Sequence, residues 1–273
     1  MFGECFENVR RKTPLIHNIT NYVTVNDVAN IELACGGSPI MSDEEEDAAD
    51  ITAQCNGLNI NIGTLHKTNI PGMLASGGKA NELGHPVLLD PVGVGVSRFR
   101  TDTVNLLMEK IHFAVIRGNI SEIRTVAAGN GNAKGVDADA AEAVTEENLN
   151  QNIEMISKCA AQLHTVIAVT GAIDLVSDGK TCYVIRNGRP EMGSITGTGC
   201  QLSGMMTAFI AANPDNILQA AAEAVCTMGL AGEIGWNHMK DGEGNSSYRN
   251  HIIDAVYNMN ADILRKGAKY EVR

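Results

Sequence analysis

The sequence predicts an α/β fold: a largely parallel central sheet with helices on both faces. Three observations point there. Short apolar runs alternate with longer stretches of helical character, the pattern of strands joined by crossover helices. The runs at 87–89, 113–116 and 166–169 are apolar throughout, as strands buried on both faces must be. Glycine is abundant, at 28 residues, while aromatic residues make up 4% of the chain, which suits close packing of helices on a sheet. With no repeat and no low-complexity linker, residues 1–273 are expected to form one domain.

Taken in order, residues 4–12 read as a short polar helix, followed by an irregular polar stretch from Pro14 to Asn21. Residues 22–35 read as a helix with Val25, Val28, Ala29 and Leu33 on one face, ended by Gly36-Gly37. Residues 38–41 are extended. Ser42 with Glu45 three places on is a capping box before an acidic first turn, and the helix runs through Cys55. Residues 58–62 alternate as a strand does. Residues 67–83 have helical character; Gly72 to Lys79 nearly matches a phosphate-binding P-loop, but the lysine is one place late and Ala80 replaces the hydroxyl that would meet Mg²⁺.

After the strand at 87–89 come a helix at 103–110, the strand at 113–116, and a helix start carrying Glu122. Residues 129–134 form a loop rich in glycine and asparagine. A helix at 146–162 precedes the strand at 166–169, and residues 175–184 read as a hairpin around Asp178-Gly179. Asn187-Gly188 makes a further turn. The glycine turn Thr196-Gly197-Thr198-Gly199 starts a small-residue helix, and helices at 215–235 and 249–264 complete the chain, separated by a solvated loop at 242–246.

The net charge of −11 makes nucleic acid and anionic membranes poor partners. Seven scattered cysteines without a C-x-x-C pair exclude a zinc site of the usual spacing and a disulfide framework, and read as reduced and cytoplasmic. The acidic start Met1–Glu7 lacks the apolar run of a signal peptide, and no uninterrupted apolar segment is long enough to span a bilayer.

The chemistry collects at strand ends. Asp90, Arg117 and Thr170 each follow or close a buried-type strand, and open α/β sheets bind ligands at the carboxyl ends of their strands. The helix start at Gly197–Cys200 presents unpaired N–H groups and a positive dipole end to the same rim. Arg117 offers a planar fork for phosphate oxygens. Asp90 and Glu122 are two carboxylates suited to a hydrated Mg²⁺. Thr170 offers a hydroxyl. Together these are the parts of phosphoryl transfer. Cys200, in the first helical turn, is expected to have a lowered thiol pKa. That leaves open a second enzymatic reading, covalent thiol chemistry, for which His17 is the candidate partner. A non-catalytic nucleotide-binding regulator is a third.

This ordered set of motifs resembles the hydroxyethylthiazole kinase family, thiamine-salvage enzymes of the ribokinase-like superfamily, over essentially the whole chain. It runs through residues 14–21, 38–41, 89–93, 116–119 with Glu122, 169–171 and 196–200. The resemblance implies a ribokinase-like layered sandwich that uses ATP, with Mg²⁺, to phosphorylate the hydroxyl of 4-methyl-5-(2-hydroxyethyl)thiazole. By position, Met41 and Gly197 match the thiazole-binding residues, with Asn21 beside them. Arg117 and Thr170 match ATP-binding residues, and Asp90 and Glu122 the acidic pair near the magnesium. Cys200 stands where most of the superfamily carries an aspartate, the base for the substrate hydroxyl. The family's homotrimer, with active sites between subunits, further implies that Gly63, Thr64 and Leu65 meet substrate bound to a neighbouring chain. Thr198 departs from the alanine of many relatives. A sibling kinase acting on a pyrimidine or pyridoxal alcohol would share the fold; Met41 and residues 14–21 favour the thiazole.

Overall fold

A computed structural model describes residues 2–129 and 143–273. Among the described residues, nine strands form one sheet: β1 (Leu15–Ile19), β2 (Ser38–Met41), β3 (Gly57–Asn61), β4 (Val87–Asp90), β5 (Val115–Gly118), β6 (Val166–Val169), β7 (Asp174–Ser177), β8 (Cys182–Ile185) and β9 (Tyr270–Val272). Their spatial order is β2-β1-β3-β4-β5-β6-β7-β8-β9. The first six strands pair in parallel. The remaining pairs are antiparallel. Parallel strands send all their carboxyl ends to one rim, and that direction places the site.

The helices are α1 (Glu4–Lys12), α2 (Val25–Cys35), α3 (Glu45–Gln54), α4 (Ile70–Leu83), α5 (Arg98–Lys110), α6 (Ile120–Ala127), α7 (Leu149–Leu163), α8 (Thr198–Ala212), α9 (Ile217–Asn237), α10 (Asn245–Tyr257) and α11 (Ala261–Gly267). The pleat divides them into two layers. Leu88, Val115 and Ala168 face a core shared with Phe6 of α1, Ile31 of α2 and Phe209 of α8. Their chain neighbours Leu89, Ile116 and Ile167 face the other core, shared with Met73 of α4, Leu107 of α5 and Ile156 of α7. Both faces of the central strands are therefore apolar, as their sequence requires. Emptying such a position, as in Leu88→Ala, costs about 2–5 kcal/mol. Helix α9 is long and apolar enough to cross a membrane, but 72% of its apolar window is buried inside the molecule. It packs against α8 and α10.

Several expectations need correcting. Residues 15–19 are not irregular: they form β1, paired on both sides. Its polar residues hide that from a hydropathy pattern because they are buried and bonded. His17 Nδ1 lies 2.8 Å from Thr52 Oγ1 and Nε2 lies 2.7 Å from the Ser42 carbonyl. The buried face of α2 carries Val28, Ile31 and Glu32, while Leu33 is 56% exposed. Glu32 fits inside because Gly204 of α8 has no side chain: a Cβ there would sit 2.5 Å from Glu32 Oε1. The capping box at 42–45 does not form. Glu44 is the N-cap, and Ser42 Oγ donates instead to Asp47 Oδ2 at 2.6 Å.

Helix α5 starts at Arg98, earlier than expected, because Ser97 Oγ accepts the Arg100 N–H. β5 lies two residues later than expected, which brings Arg117 inside the strand. The helix expected at 249–264 is two helices, α10 beginning already at Asn245. Asn260 starts the second by accepting the Ile263 N–H at 2.9 Å. The near-P-loop lies within α4, with Gly72 against the Asp43 carbonyl and Gly77 against Ile111, so its glycines serve packing. β9 had no signal in the hydropathy pattern. The loop expected at 129–134 lies, beyond Gly129, outside the described residues.

Candidate active site

The sheet order lays the rim residues out in a row. Met41 closes β2, Asn21 follows β1 and Gly63 follows β3. Asp90 closes β4, Arg117 lies in β5 and Thr170 follows β6. Helix α8 begins over the middle of this row. Its N-cap, Gly197, has φ 83°, and a Cβ there would meet Thr24 Cγ2 at 2.2 Å. Only glycine fits both the left-handed backbone and the contact.

Arg117 ties the strand ends together. Its Nη1 lies 3.2 Å from Asp90 Oδ2, and Nη2 donates to Thr170 Oγ1 at 2.6 Å. Asp90 is fully buried. Its Oδ2 also accepts from Asn61 Nδ2 and Ser203 Oγ, each at 2.8 Å. Its Oδ1 has no partner among the described residues. Burial pushes the Asp90 carboxyl up; the Arg117 charge and the Ser203 hydroxyl pull it back, and the negative Glu122 adds to the rise. Gly199 completes the arrangement, because a Cβ on it would sit 2.6 Å from Arg117 Nη2.

Cys200 is 7% exposed. Its Sγ lies 3.3 Å from Asn61 Nδ2 and 3.9 Å from Asn21 Nδ2. The expectation of a lowered thiol pKa is overturned. Burial raises it, the Asp90 charge raises it further, and the lowering effects of Thr24, Asn61 and Arg117 are smaller. Desolvation is the largest effect on this first-turn thiol. Covalent thiol chemistry loses its partner as well, since both ring nitrogens of His17 are engaged by Thr52 and Ser42.

Glu122 forms a capping box with Asn119 at the start of α6. Its Oε2 accepts the Asn119 N–H and its Oε1 accepts the Gly93 N–H, at 2.8 and 2.9 Å. Among the described residues no group of three or more His, Cys, Asp or Glu side chains could enclose a metal ion. The pair Asp90 and Glu122, one with an orphaned buried oxygen, nevertheless fits a Mg²⁺ that keeps most of its waters.

Beside Arg117 and Thr170 opens a cavity of about 770 Å³, bounded further by Thr198, Gly199, Met228 and Gly229. Asp174 also lines it; burial pushes its carboxyl up to about 7 against the Gly171 N–H and the Arg117 charge. On the opposite flank, Asn21 Oδ1 accepts the Val23 N–H and Thr64 Oγ1 accepts the Tyr22 N–H, so the turns after β1 and β3 are joined. Tyr22 and Val23 stand 66% and 60% exposed at that edge.

The structure thus gathers Asp90, Arg117, Thr170, Gly197 and Cys200 under one helix start, with Asn21 alongside. Met41 stands apart at the sheet's edge strand, half-buried, level with Asn18. Asn61 and Ser203 were missed. Asn61 ends β3 as Asp90 ends β4, so the strand-end rule that found Asp90 finds Asn61 too. Ser203 lies one helical turn beyond Gly199, on the side of α8 that faces Asp90.

The model of the hydroxyethylthiazole kinase family matches residues 6–262. The chain belongs to the hydroxyethylthiazole kinase family. A hydroxyethylthiazole kinase of Clostridium acetobutylicum is 53% identical over 271 residues, 99% of each chain. The solved hydroxyethylthiazole kinase of Pyrococcus horikoshii superimposes with a TM-score of 0.89 at 32% identity, covering 100% of this chain and 98% of that one. A ribokinase-like superfamily protein from Enterococcus faecalis has a TM-score of 0.60 at 13% identity, covering 92% of this chain and 88% of that one, and shares the fold. The layered α/β architecture of this hydroxyethylthiazole kinase family member is therefore ribokinase-like.

Proposed function

We propose that this chain transfers the γ-phosphoryl group of ATP to the hydroxyl of 4-methyl-5-(2-hydroxyethyl)thiazole. Family membership supports the activity. The observation that carries the residue roles is the Arg117 fork, pinned to Asp90 and Thr170 beneath the N-terminus of α8.

ATP occupies the cavity beside Arg117 and Thr170, whose volume is in the range of small-molecule sites, about 300–1,000 Å³. Arg117 binds the oligophosphate and offsets its charge. The amides of Gly197–Cys200 hold the transferring group as negative charge redistributes over its oxygens. Asp90 and Glu122 would hold a hydrated Mg²⁺, which supplies further charge neutralisation. The thiazole alcohol lies on the other side of α8's start, against Asn21 and Gly197, and extends towards Met41 on the edge strand β2. Cys200 orients the hydroxyl as a neutral thiol; its raised pKa makes it a poor base near neutrality. A loose phosphoryl-transfer transition state asks for little base assistance, so positioning carries this step.

Residues 1–273 act as one kinase domain in a homotrimer whose sites lie between subunits. The exposed Tyr22 and Val23, on the turn bonded to Thr64, support an interface at that edge. Seven free, buried cysteines support a reducing, cytoplasmic setting.

The test is a side-by-side panel of thiazole, pyrimidine and pyridoxal alcohols with Mg-ATP, following ADP release and the phosphate ester by phosphorus NMR. The thiazole alcohol is expected to give the highest kcat/KM. A pyrimidine or pyridoxal alcohol turning over as efficiently would overturn the substrate assignment. A molecular mass in solution of one chain would overturn the trimer.

A further inference from the structure

The structure assigns Arg100 the role of a positioning residue that fastens the alcohol side of the rim to the phosphate side. This rests on the two-sided site proposed above. Arg100 lies in the first turn of α5, where a cation opposes the helix dipole and where no acidic residue stands. Helix stability therefore does not account for it. Its guanidinium turns back over the rim and donates to three main-chain carbonyls. Nη1 reaches Ile62 and, at 2.8 Å, Val92; Nη2 reaches Gly63 at 2.9 Å.

Two of these carbonyls belong to peptide groups that are also held at their other end. In the peptide between Ile62 and Gly63, Arg100 takes the oxygen, and the Gly63 N–H goes to Asn61 Oδ1 at 2.8 Å. In the peptide between Val92 and Gly93, Arg100 takes the oxygen, and the Gly93 N–H goes to Glu122 Oε1 at 2.9 Å. Each peptide plane is thus fixed at both ends, and one guanidinium is common to both. Asn61 leads on to Asp90 and Cys200, and the charge of Glu122 is felt at Asp90. The left-handed Gly93, at φ 72°, turns the chain beneath the Arg100 stem.

A planar fork spans the two turns; the compact ammonium of lysine does not. Charge-assisted bonds to carbonyls fix the planes more firmly than water would. The result is a set distance between the turn after β3, on the alcohol side, and the turn after β4, on the phosphate side.

The test compares wild type with Arg100→Lys and Arg100→Met. Calorimetry reads the dissociation constants of the thiazole alcohol, without nucleotide, and of ADP, without alcohol. Hydrogen exchange reads residues 62–64 and 92–94. The expected result is alcohol binding weakened at least tenfold and kcat/KM for the alcohol down about 10- to 100-fold. ADP binding should stay within about threefold. Exchange should be at least tenfold faster in both turns together, with α5 protected as before. Equal weakening of both ligands, unchanged binding of both with a lower melting temperature, or faster exchange throughout α5 would overturn the assignment. Should wild type neither bind nor phosphorylate the thiazole alcohol, the substrate reading fails, while the paired exchange in the two turns still decides the role of Arg100.

Discussion

Gly199 and Arg117 occupy one space: a Cβ on the glycine would lie 2.6 Å from one guanidinium nitrogen and 2.7 Å from the other. The fork cannot swing aside cheaply, because Asp90 and Thr170 hold its two ends. Gly199→Ala should break at least one of these charge-assisted bonds, a loss of about 1.5–3 kcal/mol. The expected outcome is ATP affinity reduced roughly 10- to 100-fold at that energy, with the thiazole alcohol's KM nearly unchanged. Nucleotide titration by calorimetry checks it, and wild-type ATP affinity in a folded variant would refute it.

Cys200 should be a slow thiol. Burial and the Asp90 charge raise its pKa above 9.0. Iodoacetamide should therefore modify it slowly at neutral pH and faster only as the pH climbs through the alkaline range. Mass spectrometry of the peptide containing residue 200 reads this directly. Cys200→Ala should keep measurable kinase activity. Cys200→Asp should keep or improve it, since Asn61 and Asn21 already offer N–H donors at that spot. Complete inactivity of both folded variants would make the thiol indispensable and sink the positioning account.

Asn61 joins three parts of the site: it donates to Asp90 and to Cys200 and accepts from the Gly63 amide. Asn61→Ala leaves a buried carboxylate short of a donor, a cost of about 1–3 kcal/mol in stability. It also frees the turn that follows β3. Activity should fall on the order of 100-fold, the scale of a small misplacement of reacting groups. Asn61→Asp should fall further, because it sets a second carboxylate beside Asp90. Steady-state kinetics with melting curves separate the two effects. Activity within threefold of wild type in Asn61→Ala would contradict this.

Glu32 offers a pH test. It is fully buried, and burial raises its pKa well above 4.5 despite the bond from Asn18. The folded state therefore holds a proton that the unfolded state releases at lower pH. The linkage slope is negative, so this group's contribution is complete below about pH 4.5 and is lost as pH rises towards the folded value. Glu32→Gln keeps an acceptor for Asn18 and cannot ionise. Relative to wild type, the variant should gain stability between pH 5 and pH 8, measured as urea midpoints. A difference that stays flat over that range would show Glu32 to be ionised in the fold.

Much of this was legible in the residues. The strands at 87–90 and 166–169 are apolar runs with polar ends, and the pattern that betrays the strand also marks Asp90 and Thr170. The glycine turn marked Cys200 as a first-turn residue of a helix, and it is one, but not with the lowered pKa expected there. Helix position suggests a low thiol pKa, whereas burial depends on what α8 packs against. β1 was hidden because His17 and Asn18 are polar residues whose partners, Thr52 and Glu32, lie far along the chain. Ser203 and Arg100 acquire meaning only when a helix turn or a guanidinium meets a strand end that sequence spacing does not bring near.

The row of rim residues has an evolutionary consequence. Asn21, Met41 and Gly63 belong to β1, β2 and β3, the early part of the chain and one half of the sheet, while Asp90, Arg117 and Thr170 belong to β4, β5 and β6. Under the proposed assignment, the strand-end residues of the alcohol side lie in one half of the sheet and those of the phosphate side in the other, with α8 shared between them. Transplanting the 20–23 and 62–66 turns from a relative with another alcohol preference should carry over that preference and leave the nucleotide requirement untouched.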